Sequence, residues 1–161
     1  MKKYFVIGNP IEHSLSPKLH NYWIKENNIN AVYDKKQLNE SDIEEIIAEV
    51  KNGKIDGINV TVPFKKSVIP FLDKLTPLAN ETHSVNTIYK EKENGIDAVV
   101  GDNTDVGGFK QSLEYINYNV KNKKVFILGA GGVVPSILKA LEKLEAAKVY
   151  IAIEQRKRQK I

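Results

Sequence analysis

The sequence predicts an α/β fold, on three observations. Apolar stretches of strand character alternate with stretches of helical periodicity along almost all of the 161 residues, a rhythm that builds a mainly parallel sheet covered on both faces. A short apolar run, Ile58, Val60 and Val62, is stopped by Pro63 and delivers Thr61 and Lys65 at its carboxyl end. That is the end of a strand at which open α/β sheets bind ligands. After residue 123 the pattern restarts as K-V-F-I-L, G-A-G-G, an apolar helix and K-V-Y-I-A-I, the opening of a dinucleotide-binding β-α-β unit. The expected architecture is a mainly parallel three-layer domain, residues 1–103, followed by an incomplete Rossmann-like β-α-β unit, residues 104–161.

Taken in order, Lys3 to Gly8 reads as a strand ended by glycine, and Asn9 to Ser16 as a polar loop. Ser16 is the expected N-cap of the next helix with Pro17 at its first position, because a cap oxygen and a preset φ together start helices. Leu19, Tyr22, Trp23 and Ile24 supply the expected apolar face of that helix. Ala31 to Leu38 is a weaker strand. Glu40 or Ser41 then opens a helix carrying Ile43, Ile46, Ile47 and Val50 at helical spacing. The strand Ile55 to Val62 is followed by short helices around Lys66 to Leu72 and Pro77 to Thr82. Val85 to Tyr89 and Ala98 to Gly101 are strands separated by the turn residues Glu93, Asn94 and Gly95. A helix from Asp105 to Ile116 leads through the polar linker Asn117 to Lys123 into the glycine-turn unit. There Ile137, Leu138, Leu141 and Leu144 form the helical face, and Pro135 falls in the first turn, where a missing N–H costs least.

Composition narrows the function. Charged residues make up 27% and apolar residues 42% of the chain, ordinary for a soluble globular protein. No run approaches the roughly 18 apolar residues of a membrane span, and the start has too short an apolar core for a signal peptide, so cytoplasm is the expected location. The absence of cysteine excludes disulfides and thiolate metal sites, and His13, His20 and His83 have no zinc-ligand spacing. The net charge is +4, of which +3 falls in Glu154 to Ile161. A near-neutral body with a short basic end, lacking interleaved aromatics, argues against nucleic acid as a partner.

Five segments read together carry a more specific signal: G-N-P-I-E-H-S-L-S-P (Gly8 to Pro17), N-V-T-V-P-F-K (Asn59 to Lys65), S-V-N-T (Ser84 to Thr87), G-D-N-T-D-V-G-G-F (Gly101 to Phe109) and the G-A-G-G turn. In that order and spacing they resemble shikimate dehydrogenase, over roughly the first 150 residues. The resemblance implies reversible NADP-dependent reduction of 3-dehydroshikimate to shikimate, in aromatic amino acid biosynthesis, by a cytoplasmic monomer or homodimer. It implies that Ser14 and Ser16 hold the substrate carboxylate, that Thr61, Asn86 and Asp105 bind ring hydroxyls, and that Gly129, Ala130, Gly131, Gly132 and Val133 meet the cofactor. A quinate/shikimate dehydrogenase using NAD, or a catalytically silent shikimate-binding fragment, are the alternatives.

The residues make chemical sense apart from the family. Short hydrogen-bonding side chains at loops and strand ends suit a small polyhydroxylated acid, since hydroxyls bind a carboxylate while amides and carboxylates sort alcohols. Ser16 also has a capping explanation; Ser14 has none. Hydride reduction of a ketone leaves charge on oxygen, so the site needs a proton donor, and the reverse oxidation needs the matching base. Lys65 beside the Asp105 carboxylate supplies that pair. Asp105 has the alternative of a first-turn helix acid, Lys66 reads as a solvated neighbour and Asp102 as surface. Asn103 and Thr104 shape the turn, His13 braces its loop, and His20 packs on the Trp23 side of its helix. His83 and Ser84 stand where the family has a small residue and a glycine.

The chain also departs from the family after its last strand. Where an N-R-T signature followed by a basic residue is expected to select NADP, it reads A-I-E-Q-R-K-R-Q-K-I. Arg156 and Arg158 are candidates for the 2′-phosphate, with Glu154 near a ribose hydroxyl. Ile151 to Ile161 can be back-translated so that a frame displaced by two nucleotides reads Ser-Asn-Arg-Thr-Lys. The expectation is a frame change that truncated a longer enzyme, which the gene's codons decide. Such a fragment would expose a sheet edge and turn over weakly or not at all.

Overall fold

Alternation along the first strand decides which side chains face which layer. In β1 (Lys2–Gly8), Phe5 and Ile7 point into the main core while Tyr4 and Val6 point to the opposite face, as a period of two requires. The computed structural model describes residues 1–93 and 95–153. It divides the chain into two units, Met1–Thr104 and Asp105–Ile161, one residue beyond the boundary read from the sequence.

The first unit contains β1, α1 (Ser16–Glu26), β2 (Ala31–Gln37), α2 (Ile43–Lys51), β3 (Gly57–Val60), β4 (Lys74–Leu75), α3 (Pro77–Thr82), β5 (Thr87–Glu93) and β6 (Ile96–Asp102), in a sheet of order β2-β1-β3-β5-β6-β4. The pairs β1–β2, β1–β3 and β4–β6 are parallel; β3–β5 and β5–β6 are antiparallel. The sheet is thus mainly parallel, as expected, with β5 alone reversed. The reversal follows from the hairpin that Gly95, at φ +86°, allows between β5 and β6. The main core gathers Ile43, Ile46, Ile47 and Val50 of α2 against Ile7, Ile58, Val60, Ile88 and Val99. Asn39 opens this helical segment with a capping box onto Asp42, through a 3-10 turn at Glu40–Asp42.

Helix α1 departs from the sequence reading. Leu19, Tyr22 and Trp23 are exposed, and Ile24 alone of the expected apolar face joins the second core with Val6, Ile11 and Tyr33. The inward face is Pro17, His20, Asn21 and Ile24, at helical spacing. Its grip is polar and aromatic: Asn21 Nδ2 donates to the Tyr33 carbonyl at 2.6 Å, Asn21 Oδ1 accepts from the Tyr33 N–H at 3.0 Å, and the His20 ring stacks on Tyr33 at 4.2 Å. Because β2 is the sheet's edge, Asn21 occupies backbone groups that would otherwise face solvent. The expected helix at residues 66–72 is a 3-10 turn, Ile69–Phe71, where Pro70 removes a donor. The two-residue β4 is too short to show as alternation.

In the second unit, α4 (Asp105–Tyr115) packs against α5 (Val134–Lys143), and β7 (Lys124–Leu128) pairs in parallel with β8 (Lys148–Ala152). Pro135 lies in the first turn of α5 as expected. Phe126 and Tyr150 stack at 4.7 Å on the outer face, where Phe126 is 69% and Leu128 87% exposed. Among the described residues no helix is long and apolar enough to cross a membrane.

Candidate functional site

Strand direction brings the site together. β1, β3 and β6 run the same way, so residues that follow them share one edge of the sheet, and because β5 runs backwards the residue that precedes it joins them. Gly8 and Asn9, Thr61 to Lys65, Asn86, and Asn103 to Thr104 all emerge there. This is the carboxyl edge at which open α/β sheets place ligands.

Backbone hydrogen bonds hold the pieces in register. Thr61 N–H donates to the Ile7 carbonyl at 2.9 Å, Asn9 N–H to Val62 at 3.0 Å, Val85 N–H to the Lys65 carbonyl at 2.8 Å, and Asn86 N–H to Asp102 at 3.0 Å. A Cβ on Gly8 would stand 2.7 Å from Thr61 Cγ2 and 3.0 Å from the Val62 carbonyl, so only glycine permits this approach of β1 to the threonine. Thr61 and Lys65 are half-buried and Lys66 is exposed, which separates the two lysines as the sequence reading did.

The serine loop follows β1. Ser14 Oγ accepts from the Ser16 N–H at 3.3 Å, while Ser16 is the first residue of α1, whose N-cap position is Leu15. Ser16 is therefore not the cap, and Ser14, read as having no local explanation, supplies the oxygen that meets the helix's opening N–H. Both serines are half-buried. His13 is exposed, and the loop is instead tied through Lys35, whose ammonium donates to the Glu12 carbonyl.

Asn86 is tied to both of its flanking segments. Its Oδ1 accepts from Thr104 N–H at 2.9 Å, Thr104 Oγ1 at 3.1 Å and Thr87 Oγ1 at 3.1 Å, and its Nδ2 donates to Thr104 Oγ1 at 2.8 Å. Asn103, 1% exposed, donates from Nδ2 to the Ser84 carbonyl at 2.7 Å and Thr82 Oγ1 at 3.1 Å. These bonds fasten the S-V-N-T segment to the strand end from which Asp105 continues as the first residue of α4. Asp102 is not a bare surface acid: its Oδ1 accepts from Thr76 Oγ1 at 2.6 Å and Asn103 N–H at 2.7 Å. His83 takes φ +45° to end α3, and Ser84 is fully buried behind it. A left-handed residue there does the work a glycine usually does.

Sequence reasoning passed over Tyr33, Asn59 as a side chain, and Thr87. Tyr33 O–H donates to Asn59 Oδ1 at 2.6 Å, and Asn59 Nδ2 donates to the Asn86 carbonyl at 3.3 Å and Thr87 Oγ1 at 3.2 Å. Burial pushes the Tyr33 phenol well above its ordinary range and holds the His20 imidazole below its own. A polar residue in an otherwise apolar strand, Asn59 in G-I-N-V, was the available signal.

In the second unit Gly129 adopts φ +103° and its N–H donates to the Ala152 carbonyl at 2.8 Å. Among the described residues, a Cβ on Gly129 or Gly131 would meet nothing within 4 Å, and no side chain caps α5 at Val133. Residues 129–133 are exposed and lead into the start of α5, the kind of place where helix N–H groups can meet an anion. Glu154, Arg156 and Arg158, read as the ribose and 2′-phosphate contacts, lie outside the described residues.

Fold and site together define an α/β chain in two parts, a mainly parallel sheet domain followed by a β-α-β unit with a glycine turn. Residues 6–88 match the shikimate dehydrogenase substrate binding domain, and the chain belongs to that family. It is 58% identical over 94% of its length to the NADP(+) shikimate dehydrogenase of Pelagibacter ubique (strain HTCC1062), covering 56% of that protein. The crystal structure of shikimate dehydrogenase from Aquifex aeolicus superposes with a TM-score of 0.85 at 38% identity, over 96% of this chain and 57% of that one. Shikimate 5-dehydrogenase from Listeria monocytogenes, solved in complex with shikimate and NAD, gives 0.82 at 27% identity, over 99% and 54%. The chain spans about half the length of the curated relatives it matches.

Proposed function

We propose that this chain carries the shikimate-binding catalytic domain, residues 1–103, and the start of the NADP-binding domain, residues 104–161, of a shikimate dehydrogenase. The whole protein would interconvert 3-dehydroshikimate and shikimate. The observation that carries this is the convergence of Thr61, Lys65, Asn86 and the strand end leading to Asp105 on one sheet edge, in a chain 58% identical to a protein of that name.

In this reading the hydroxyls of Ser14 and Ser16 donate to the ring carboxylate, and Thr61, Asn86 and Asp105 sort the ring alcohols. NADP, when bound at Gly129 to Val133, supplies or accepts the hydride. Lys65 Nζ gives its proton to the oxygen on which charge develops and takes it back in the reverse direction, while the Asp105 carboxylate orients ammonium and alcohol. The Listeria structure's NAD makes NAD the second cofactor to assay.

Titration of shikimate into the isotope-labelled chain tests the first domain. Backbone resonances of Thr61, Lys65 and Asn86 should move and saturate, and Lys65→Met should weaken binding about tenfold or more, as removal of a charged hydrogen-bond donor does. Unmoved resonances at those three residues would exclude shikimate from this site. Oxidation of NADPH and of NADH with 3-dehydroshikimate, assayed in parallel, separates a catalyst from a silent binder.

A further inference from the structure

The donors and acceptors from Tyr33 to Thr104 have only one consistent polarity. The Asn86 carbonyl can only accept, so the group of Asn59 facing it at 3.3 Å is its amino group. Asn59 Oδ1 therefore faces Tyr33, whose hydroxyl must donate at 2.6 Å. The second acceptor of the Asn59 amino group is Thr87 Oγ1 at 3.2 Å, which leaves the Thr87 proton for Asn86 Oδ1 at 3.1 Å. The Thr104 N–H can only donate, so the atom it meets at 2.9 Å is the Asn86 oxygen, and the amide of Asn86 is fixed in one orientation.

The upstream end is fixed too. Tyr33 is held through its backbone by Asn21 and across its ring by His20, both on the helix that begins at Ser16. One continuous path, all within the first unit, thus joins the serine-bearing helix to the amide that faces the ring alcohols and to the residue before Asp105.

We propose that Tyr33, Asn59 and Thr87 are positioning residues for substrate recognition: they set the orientation of the Asn86 amide and couple it to the helix carrying Ser16. The proposal rests on the shikimate reading for its ligand but not for its geometry. The depressed acidity of the Tyr33 phenol keeps its proton in place at any working pH.

The decisive variant is Tyr33→Phe, which removes one hydroxyl and keeps the ring stacked on His20. In the ligand-free labelled chain, the Asn86 side-chain amide resonances should shift and exchange faster with water. Shikimate affinity should fall about tenfold, the size of one ordered hydrogen bond. In a double-mutant cycle with Asn86→Ala the two losses should be strongly non-additive, whereas Tyr33→Phe combined with Lys65→Met should be additive. Thr87→Val interrupts the same path from its other end with a side chain of the same shape, and serves if Tyr33→Phe does not fold. Unchanged Asn86 amide resonances in the folded variant overturn the proposal, as does additivity with Asn86→Ala. A wild-type chain that ignores shikimate overturns the functional reading instead, and leaves the ligand-free measurement to decide the path.

Discussion

Replacing Asn103 by aspartate changes one NH2 for one oxygen in a fully buried site, so its consequence can be worked out closely. Asn103 Nδ2 is the donor to the Ser84 carbonyl at 2.7 Å and to Thr82 Oγ1 at 3.1 Å. An ionised carboxylate there would set oxygen against the Ser84 carbonyl, out of reach of water. The new group must instead stay protonated, and burial of this kind raises a carboxyl pKa by about 3–5 units. Held neutral at pH 7, about three units above the ordinary carboxyl pKa near 3.9, Asn103→Asp loses about 4 kcal/mol at 1.36 kcal/mol per unit, a large share of a total stability of about 5–15 kcal/mol. When protonated, its O–H can donate to Ser84, and the loss shrinks to about 1 kcal/mol. The sign follows from the raised folded-state pKa: stability is fully present below the ordinary carboxyl pKa near 3.9 and is lost as pH rises toward the folded-state value. Thermal unfolding by circular dichroism at pH 4.5 and 7.5 reads this directly. The melting temperature of Asn103→Asp should fall short of wild type by at least about 10 °C more at pH 7.5 than at pH 4.5, while Asn103→Ala should show a deficit that does not vary with pH. Equal deficits for Asn103→Asp at the two pH values would refute the burial argument.

Two further outcomes are expected. Gly8→Ala drives a methyl into Thr61 Cγ2 at 2.7 Å and the Val62 carbonyl at 3.0 Å; it should cost about 1–3 kcal/mol in urea unfolding and displace the Thr61 amide resonance. His20 is held below its ordinary pKa by burial, so its contribution is present above the unfolded value near 6.5 and lost as pH falls below it. Between pH 7 and 5 the wild type should therefore lose more thermal stability than His20→Phe, which keeps the aromatic stack and does not titrate.

Much of this was legible in the sequence because the signals were local. The α2 face Ile43, Ile46, Ile47 and Val50, the proline-led α3 and α5 and the glycine turn at Gly129 each carry their reason within a few residues. Thr61 and Lys65 were placed by the strand that ends between β3 and Pro63. What escaped was non-local. The inward face of α1 is Asn21 and His20 rather than Tyr22 and Trp23, because its partner is the backbone and ring of Tyr33, twelve residues away for Asn21. The insertion of the β5–β6 hairpin beside β3 is a pairing that no periodicity reports. The Asn59 side chain was hidden for the same reason, its partners lying 26 to 28 residues off in the chain.

The hairpin of β5 and β6 has one end at the sheet edge next to Asn86, where Thr87 pairs with Asp102, and the other where Glu93 pairs with Ile96. Six residue steps separate the ends, roughly 20 Å at strand rise. Its bend at Gly95 is accordingly a natural attachment point: a fluorophore or affinity handle introduced there would report on this domain from a distance, without touching the sheet edge from which Thr61, Lys65 and Asn86 emerge.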